Sequence, residues 1–232
     1  MKTVFPAAPP VTVPVHGSDA RFPVRRIYCV GRNYAEHARE MGFTGREDPF
    51  FFCKPPDAIL YVPEGETGEL RYPPGTSNLH YEIELVVALG SGGRDLDIAQ
   101  AAACVYGYAV GLDMTRRDLQ GEAKKQGRPW EVGKAFDQSA PLGPIYPAAR
   151  VDALETGAIT LAVNGETRQN GDIAQMIWKV AESISYLSGL FELKAGDLIF
   201  TGTPEGVGPV VPGDLMTGAV QGVGSLRVKV VA

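Results

Sequence analysis

The sequence predicts an α+β fold in which β-strands dominate and helices are short. Glycine and proline, at 28 and 18 of 232 residues, are spread along the whole chain. That distribution favours many short strands joined by turns and excludes a pure helical bundle. The predicted strands outnumber the helices and do not alternate regularly with them, which argues against a regular βαβ sheet. Hydrophobic residues form 44% of the chain, enough for a packed core, and this excludes a disordered protein.

The first half of the chain carries the clearest strand signals. Three apolar runs of strand type occur at residues 26–31 (RIYCVG), 49–54 (PFFFCK) and 81–89 (YEIELVVAL). Between the first two, YAEHAREM (34–41) predicts a short helix that ends at Gly42. An Ala-rich helix over 97–104 is followed by a strand over 105–112.

The second half mixes helices and strands. TRRDLQGEAKKQ (115–126) predicts a polar helix that begins at a threonine cap. Residues 159–163 predict a strand that enters a hairpin at Asn164-Gly165, a strong turn signal. An amphipathic helical region is expected over 173–190. Two further strands are expected, at residues 197–201 and 225–231.

Composition also narrows the class of protein. The net charge of −5 and the pI of about 5.3 argue against a nucleic-acid-binding protein, which would need a basic face. No run reaches the roughly 18 apolar residues that a membrane-spanning helix needs. Prolines interrupt the first residues, and the three cysteines form no CxxC pair. We therefore expect a cytoplasmic protein with reduced thiols, with an extended arm over 1–24 and one domain over 25–232.

Three carboxylates are candidates for a metal site. Glu82 and Glu84 are two residues apart in a predicted strand, so both side chains point to the same face. Asp113 ends the next predicted strand. Three oxygen ligands without His or Cys suit a hard divalent cation such as Mg²⁺. An exposed edge strand with solvated acids is the alternative.

Two pairs with helical i, i+3 spacing could contribute chemistry. His37 and Glu40 share a helix face, where the carboxylate would orient the imidazole as a general base for water. A surface His–Glu pair gives the same pattern. Arg117 and Gln120 repeat the spacing beyond Asp113 and could bind a carboxylate or carbonyl.

Two lysines and one glycine-rich loop complete the candidates. Lys54 and Lys134 lie in apolar or glycine-flanked contexts, where a partly buried ammonium needs an anionic partner. TGTPEGVG (201–208) lacks the Lys-Ser/Thr of a nucleotide-binding P-loop. Its backbone N–H groups and Thr203 could still face an oxyanion.

In combination, these motifs resemble the fumarylacetoacetate hydrolase family, in particular its short single-domain acylpyruvate hydrolases. The resemblance rests on seven segments in family order: GRNYAEHAREM (31–41), FFFCKP (50–55), NLHYEIEL (78–85), GLDMTRRDLQ (111–120), PWEVGKAFD (129–137), VNGETRQNG (163–171) and GDLIFTGTPEGVGP (196–209). They span nearly the whole domain. The resemblance implies the mixed-sheet roll of that family's C-terminal domain and a catalytic role for residues 25–232.

The resemblance also assigns the metal site and the base. It implies Glu82, Glu84 and Asp113 as ligands of a divalent cation, Mg²⁺ in the first place and Mn²⁺ or Ca²⁺ as alternatives. It implies His37 with Glu40 as the pair that activates water. A homodimer is expected on the same ground.

The remaining roles concern the substrate, a small anionic 2,4-dioxo acid. Lys134 is implied as a catalytic residue that stabilises developing negative charge. The implied substrate-binding residues are Arg32, Lys54, Arg117, Gln120 and Thr203.

The resemblance implies a hydrolase that cleaves the C3–C4 bond of an acylpyruvate. Fumarylpyruvate, giving fumarate and pyruvate in gentisate-type aromatic catabolism, is the favoured substrate because the segment over 13–34 and FFFCKP resemble bacterial enzymes of that route. Oxaloacetate decarboxylation, or a related 2-oxo acid decarboxylase or isomerase activity, is the alternative enzymatic reading. A catalytically silent metal-binding protein on the same fold is the non-enzymatic one.

Overall fold

The computed structural model describes residues 3–34, 46–151 and 154–232. In chain order its strands are β1 (Thr12–Pro14), β2 (Arg21–Pro23), β3 (Arg26–Gly31), β4 (Phe50–Lys54), β5 (Ile59–Tyr61), β6 (Gly68–Arg71), β7 (Leu79–Tyr81), β8 (Ile83–Leu89), β9 (Val105–Leu112), β10 (Thr115–Arg116), β11 (Ala140–Leu142), β12 (Tyr146–Pro147), β13 (Ala158–Val163), β14 (Glu166–Asp172), β15 (Asp197–Phe200), β16 (Gly208–Val210), β17 (Leu215–Val220) and β18 (Gly224–Val231). The α-helices are α1 (Ile98–Ala103), α2 (Arg117–Lys125), α3 (Glu131–Lys134) and α4 (Val180–Leu190). Single 3-10 turns lie at Pro56–Ala58, Ala148–Arg150 and Ile173–Gln175. Many short strands with few helices confirm the predicted β-rich α+β class.

An eight-stranded mixed sheet forms the centre of the fold, in the order β4-β3-β15-β8-β9-β11-β5, with β12 paired to β9. β15 is parallel to β3, and β11 is parallel to β5, whereas β8 and β9 are antiparallel. Every residue of β8 is buried. Leu85 packs into one hydrophobic cluster and Val86 into another on the opposite face. Acidic residues on this strand therefore lie in the interior of the protein.

A second sheet of five strands, ordered β14-β13-β17-β18-β6, packs on the first. Leu161, Met216 and Val228 from this sheet share one hydrophobic cluster with Ile83 and Leu112 of the central sheet. The two sheets enclose the largest part of the core and form the predicted mixed-sheet roll.

A small three-stranded sheet, β10-β7-β16, lies where the chain crosses between the larger layers. His80 of β7 pairs with Thr115 on one side and with Pro209 on the other. β7 ends at Tyr81 and β8 begins at Ile83, so the predicted strand over 81–89 is interrupted at Glu82. This break places Glu82 between two sheets.

The amino-terminal residues contribute to the core. β1 and β2 form an antiparallel pair, and Val13, Val15 and Phe22 are buried in the cluster beneath the central sheet. The division into an arm over 1–24 and a domain over 25–232 stays a prediction.

Two helices cover the outer face of the central sheet. α1 begins with a capping box formed by Asp97 and Gln100. Its Ala101 packs with Ile184 and Leu187 of α4. Among the described helices, none is long and apolar enough to cross a membrane.

Two predicted helices differ in the structure. Thr115 does not cap the helix over 115–126; it belongs to β10, and the helix begins at Arg117. The region over 173–190 is split into a 3-10 turn and α4, because the Asn33 amide binds both the N–H and the C=O of Trp178 and removes that residue from a helical pattern. Beyond Tyr34, the predicted helix over 34–41 lies outside the described residues.

Candidate active site

Three carboxylates meet at the end of the antiparallel pair β8 and β9. Glu82 precedes β8, Glu84 lies within it, and Asp113 follows β9. The Asp113 N–H donates to the Glu82 carbonyl oxygen at 2.9 Å, which holds the two segments in register. One carboxylate oxygen from each residue lies within 4.8 Å of the others. Exposed fractions of 5%, 2% and 1% are incompatible with the alternative of solvated acids on an edge strand.

Burial makes this cluster electrostatically costly. The pKa of Glu84 is raised well above its ordinary value, first by burial and then by the nearby Asp113 and Glu82 carboxylates. Two effects oppose this rise in pKa: the positive charge of Lys134, and a hydrogen bond that the Gly202 N–H donates to Glu84 Oε2 at 2.8 Å. A cluster of this kind needs cations close by to remain ionised.

Lys134 supplies the most central cation. Its Nζ lies 2.7 Å from Glu82 Oε2, 2.8 Å from Asp113 Oδ2 and 2.7 Å from Thr115 Oγ1. Burial lowers the Lys134 pKa, but the Asp113 and Glu82 carboxylates outweigh burial, so the pKa is raised above its ordinary value. The ammonium group is therefore charged while it contacts both acids.

Helix α3 brings Lys134 to the acids because it packs closely on α2. A β-carbon at Gly133 would lie only 2.9 Å from the backbone nitrogen of Gln120. A larger residue at Gly133 would push the two helices apart. The close packing of the two helices therefore requires a glycine before Lys134.

Two further cations surround the cluster. Lys54, at the end of β4, places Nζ 2.8 Å from Asp113 Oδ1 and also donates to the carbonyl oxygens of Met114 and Lys134. Arg117, the first residue of α2, places Nη2 2.5 Å from Glu82 Oε1. The three buried acids thus face three basic side chains.

Arg117 is held in place by its neighbours on α2 and β7. Its Nη1 donates to Gln120 Oε1 at 2.7 Å, as the i, i+3 spacing predicts, and its Nε lies 3.4 Å from His80 Nδ1. Burial and the Arg117 charge lower the His80 pKa to about 4. His80 is therefore neutral near pH 7 and acts as a packing partner of Arg117.

Two residues of the loop over 201–208, Gly202 and Thr203, form the opposite wall of the cleft around these acids. Gly202 has a φ of +94°, and a β-carbon there would lie 2.7 Å from the Asn33 side chain. This glycine lets the loop approach closely enough for its N–H to reach Glu84. The next residue, Thr203, is buried and lines the same cleft as the acids.

The cleft has a volume of about 30 Å³ and is lined by the acids together with Lys134, Arg117, Gln120 and Thr203. An adjoining pocket of about 330 Å³ shares Arg32 and Trp130 with it. Arg32 adopts a φ of +56°, and its guanidinium carbon lies 4.9 Å above the Phe50 ring. Four of the five predicted substrate-binding residues, Arg32, Arg117, Gln120 and Thr203, line this cleft, whereas Lys54 lies buried against Asp113 and does not line it.

The predicted water-activating residues, His37 and Glu40, lie outside the described residues. Two buried polar contributors were missed by sequence reasoning. Thr115 was interpreted as a helix cap although its hydroxyl contacts Lys134. Gln169 lies within the segment VNGETRQNG, and as a buried residue between exposed neighbours in β14 it has no separate sequence signal.

The donor set fits a divalent cation. The three candidate ligands offer only carboxylate oxygens, the chemistry that Mg²⁺ and Mn²⁺ accept, and they converge within the reach of one ion. Lys134 contacts the same oxygens of Glu82 and Asp113 that an ion could use. The fold and this site together define a β-rich enzyme-like domain with a buried carboxylate cluster that could hold a divalent cation.

Comparison with known proteins identifies the family. The fumarylacetoacetate (FAA) hydrolase C-terminal family matches residues 26–231, and the chain belongs to this family. The fumarylpyruvate hydrolase of Pseudomonas aeruginosa, solved in complex with Mn²⁺ and pyruvate, is 61% identical with a TM-score of 0.97 and covers 99% of each chain. The family resemblance found in the sequence is confirmed.

Two curated relatives carry different activities. A fumarylpyruvate hydrolase of Ralstonia sp is 47% identical over 184 residues, which cover 79% of this chain and 93% of the relative. The oxaloacetate tautomerase YcgM of Escherichia coli (strain K12) is 43% identical over 202 residues, covering 87% and 90%. The family alone therefore leaves more than one 2-oxo acid reaction to consider.

Proposed function

We propose that this protein is an acylpyruvate hydrolase that converts fumarylpyruvate and water to fumarate and pyruvate. One observation carries the proposal: three buried carboxylates face Lys134 and Arg117 in a chain 61% identical, over 99% of its length, to a fumarylpyruvate hydrolase. The substrate is a small anion, and the basic side chains around the acids give it a favourable place to bind.

Glu82, Glu84 and Asp113 would hold the divalent cation, which we propose to be Mg²⁺, with Mn²⁺ or Ca²⁺ as alternatives. When bound, it would supply Lewis-acid polarisation of the pyruvoyl oxygens. A bound cation would counteract both burial and the repulsion from Asp113 and Glu82, which together raise the pKa of Glu84.

The basic residues would bind and orient the substrate. Arg117 and Gln120 form one hydrogen-bonded unit at the edge of the cleft and would contact the pyruvoyl carboxylate or carbonyl. Lys54 fixes Asp113 from behind. Lys134 would stabilise negative charge that develops on the substrate oxygens during bond cleavage.

His37, oriented by Glu40, would take a proton from water, and the resulting hydroxide would add to the C4 carbonyl. Collapse of the adduct breaks the C3–C4 bond: the carboxylic acid forms at C4, and the bonding electron pair leaves as the enolate of pyruvate. A proton then adds to C3. This assignment rests on the family resemblance of the HxxE segment.

The acyl half would occupy the adjoining pocket. Arg32 provides a guanidinium beside the aromatic rings of Phe50 and Trp130, which suits a flat chain that ends in a carboxylate. Thr203, on the opposite wall, would donate to a substrate oxygen. This pocket favours a dicarboxylic acylpyruvate such as fumarylpyruvate over one with an uncharged acyl group.

Two alternatives are kept. Oxaloacetate tautomerisation or decarboxylation is favoured by the 43% identity to YcgM, and it would use the same carboxylates without attack by water. A catalytically silent metal-binding protein would have no need for Lys134 and Arg117 against the same acids. The presence of both basic side chains beside the acids therefore disfavours the hypothesis of a silent metal-binding protein.

The decisive experiment follows the loss of fumarylpyruvate absorbance with Mg²⁺, with EDTA and beside an oxaloacetate control. Metal-dependent loss with formation of fumarate and pyruvate supports the proposal. Rapid turnover of oxaloacetate with fumarylpyruvate untouched moves the function to the oxaloacetate reaction, and metal binding without any turnover favours the silent protein.

A variant and a hydrodynamic measurement extend the test. His37→Ala should abolish hydrolysis, and unchanged hydrolysis would remove the dyad from the mechanism. We also propose a cytoplasmic homodimer, which light scattering of the purified protein and cell fractionation would check.

A further inference from the structure

Gln169 is a buried polar residue that the proposed mechanism does not use. It lies on β14, whose neighbouring residues Arg168 and Asn170 are exposed, yet its own exposed fraction is 0%. The pairing of β13 with β14 shifts register between Leu161 and Ala162, so that Arg168 is skipped. A bulge of this kind re-aims the following side chain, here toward the candidate active site.

The loop that carries Thr203 passes directly over this bulge. A β-carbon at Gly206 would lie 2.2 Å from the Arg168 carbonyl oxygen, and Gly206 has a φ of +90°. Only a glycine permits this approach. The close contact brings the loop within reach of the Gln169 amide.

The Gln169 amide is fully satisfied and has one possible orientation. Its Oε1 accepts from the Ile83 N–H at 3.0 Å, and its Nε2 donates to Thr203 Oγ1 at 2.9 Å and to the Pro204 carbonyl at 2.8 Å. The reversed amide would place its oxygen against the Pro204 carbonyl and its NH₂ against the Ile83 N–H. Both contacts would be repulsive, so the orientation is fixed by the surrounding backbone.

This orientation decides the role of the Thr203 hydroxyl. A hydroxyl has one hydrogen to donate, and Gln169 Nε2 can only donate, so Thr203 Oγ1 must be the acceptor in their bond. Within the part of the chain that the structure describes, the Thr203 hydroxyl makes no hydrogen bond to a protein acceptor. Its hydrogen is therefore left for the cleft that Thr203 lines.

We propose that Gln169 is a positioning residue that sets the Thr203 hydroxyl as a hydrogen-bond donor to the substrate oxygen on which negative charge develops. The inference rests on the proposed function. Gln169 is not among the residues that line the cleft; it acts through Thr203, and its bond to Ile83 ties that donor to the strand that carries Glu84. A hydroxyl that already points at the substrate oxygen does not have to reorient during the reaction.

A double-mutant cycle tests this coupling. The variants are Gln169→Met, which removes the amide at similar length, Thr203→Val, which removes the hydroxyl at similar shape, and the two combined. We measure kcat at saturating Mn²⁺, the Mn²⁺ dissociation constant and the unfolding temperature of each.

Thr203→Val should lower kcat about 100-fold, the usual effect of losing one oxyanion donor. Gln169→Met should lower kcat about 10- to 100-fold, and the double variant should be no slower than Thr203→Val within about threefold. Losses in kcat that multiply would overturn the proposal, because a merely structural role acts independently of the hydroxyl.

Two further variants keep the test decisive. Thr201→Val is the matched control, since the Thr201 hydroxyl donates to the Leu85 carbonyl at 2.9 Å and faces away from the cleft; it should lower the unfolding temperature and leave kcat within about threefold. If Gln169→Met does not fold, Gln169→Glu replaces it. Its carboxylate keeps an acceptor for Ile83 but draws the Thr203 hydrogen to itself, so wild-type kcat in that variant would contradict the proposal.

Failure of the proposed function is distinguishable from failure of this inference. If the unchanged chain hydrolyses no 2,4-dioxo acid, the cycle is measured on the Mn²⁺-dependent binding of pyruvate. Non-additive losses of pyruvate affinity would support the role of Gln169 even then, and additive losses would refute it.

Discussion

Two buried carboxylate sites lie at opposite ends of the central sheet and are built differently. At one end, Asp197 is fully buried, and its two oxygens accept from Arg25 at 2.9 and 3.0 Å and from the Lys194 N–H at 2.9 Å. At the other end, Glu82 and Asp113 share Lys134 within a crowded cluster of like charges.

The two sites differ in how many acidic side chains are buried together. Burial also raises the pKa of Asp197, but the Lys194 N–H, Arg25 and the charge of Arg26 all act against that shift. The cluster brings three acids together where burial and mutual repulsion raise the Glu84 pKa. Buried acids with strongly raised pKa values are typical of sites that bind an ion or a substrate. The cluster is therefore the candidate active site, and Asp197 is not.

Loss of a cluster acid gives the largest expected effect. Asp113→Asn should weaken Mn²⁺ binding and lower turnover by about 1,000-fold or more, because a neutral amide replaces one of three anionic ligands. Titration with Mn²⁺ and initial rates measure both. Asp197→Asn is the matched control at the other end of the sheet. It should lower the unfolding temperature and leave the Mn²⁺ affinity unchanged, and equal losses of metal binding in both variants would remove the distinction.

Loss of the central cation should expose the repulsion within the cluster. Lys134→Met leaves the acids without their closest ammonium and should lower the free energy of unfolding of the metal-free protein by about 3 kcal/mol. Metal should restore more stability to this variant than to the unchanged chain, because the ion takes over the neutralising role. Chemical denaturation with EDTA and with Mg²⁺ measures the difference. Lys194→Met is the exposed control, since its pair with Glu192 spans 3.5 Å on the surface.

The sequence predicted the composition of this cluster better than its geometry. The period-2 argument brought Glu82 and Glu84 together, but the chain changes sheets at Glu82, a consequence of tertiary packing that no local pattern encodes. The Asn164-Gly165 hairpin was predicted from its two residues because turn conformation is local. The role of Thr115 was missed, since a threonine before a helical pattern predicts a cap and only the contact with Lys134 shows otherwise.

The His80 environment gives a smaller, pH-dependent effect. The folded-state pKa of about 4 lies below the ordinary value of 6.5, so between these values the unfolded chain binds a proton that the folded protein does not. Stability should therefore fall as the pH falls from 6.5 to about 4, by about 1–2 kcal/mol, which allows for the partial exposure of the ring. His80→Asn should flatten this part of the profile in urea denaturation. An unchanged slope would show that other groups cause it.

The smallest effect is expected at an exposed pair whose members lie one and three residues before Gln169. Arg168 and Glu166 are 2.8 Å apart on the surface of β14, where solvent screens the charges and the long side chains lose entropy by pairing. Glu166→Gln should change the free energy of unfolding by about 0.5 kcal/mol or less, and the change should vanish at high salt. Urea denaturation at two salt concentrations measures it, with turnover as the second readout. A large loss of turnover here would mean that β14 as a whole supports the site, whereas an inert pair leaves that role to the one side chain of the strand that the bulge turns inward.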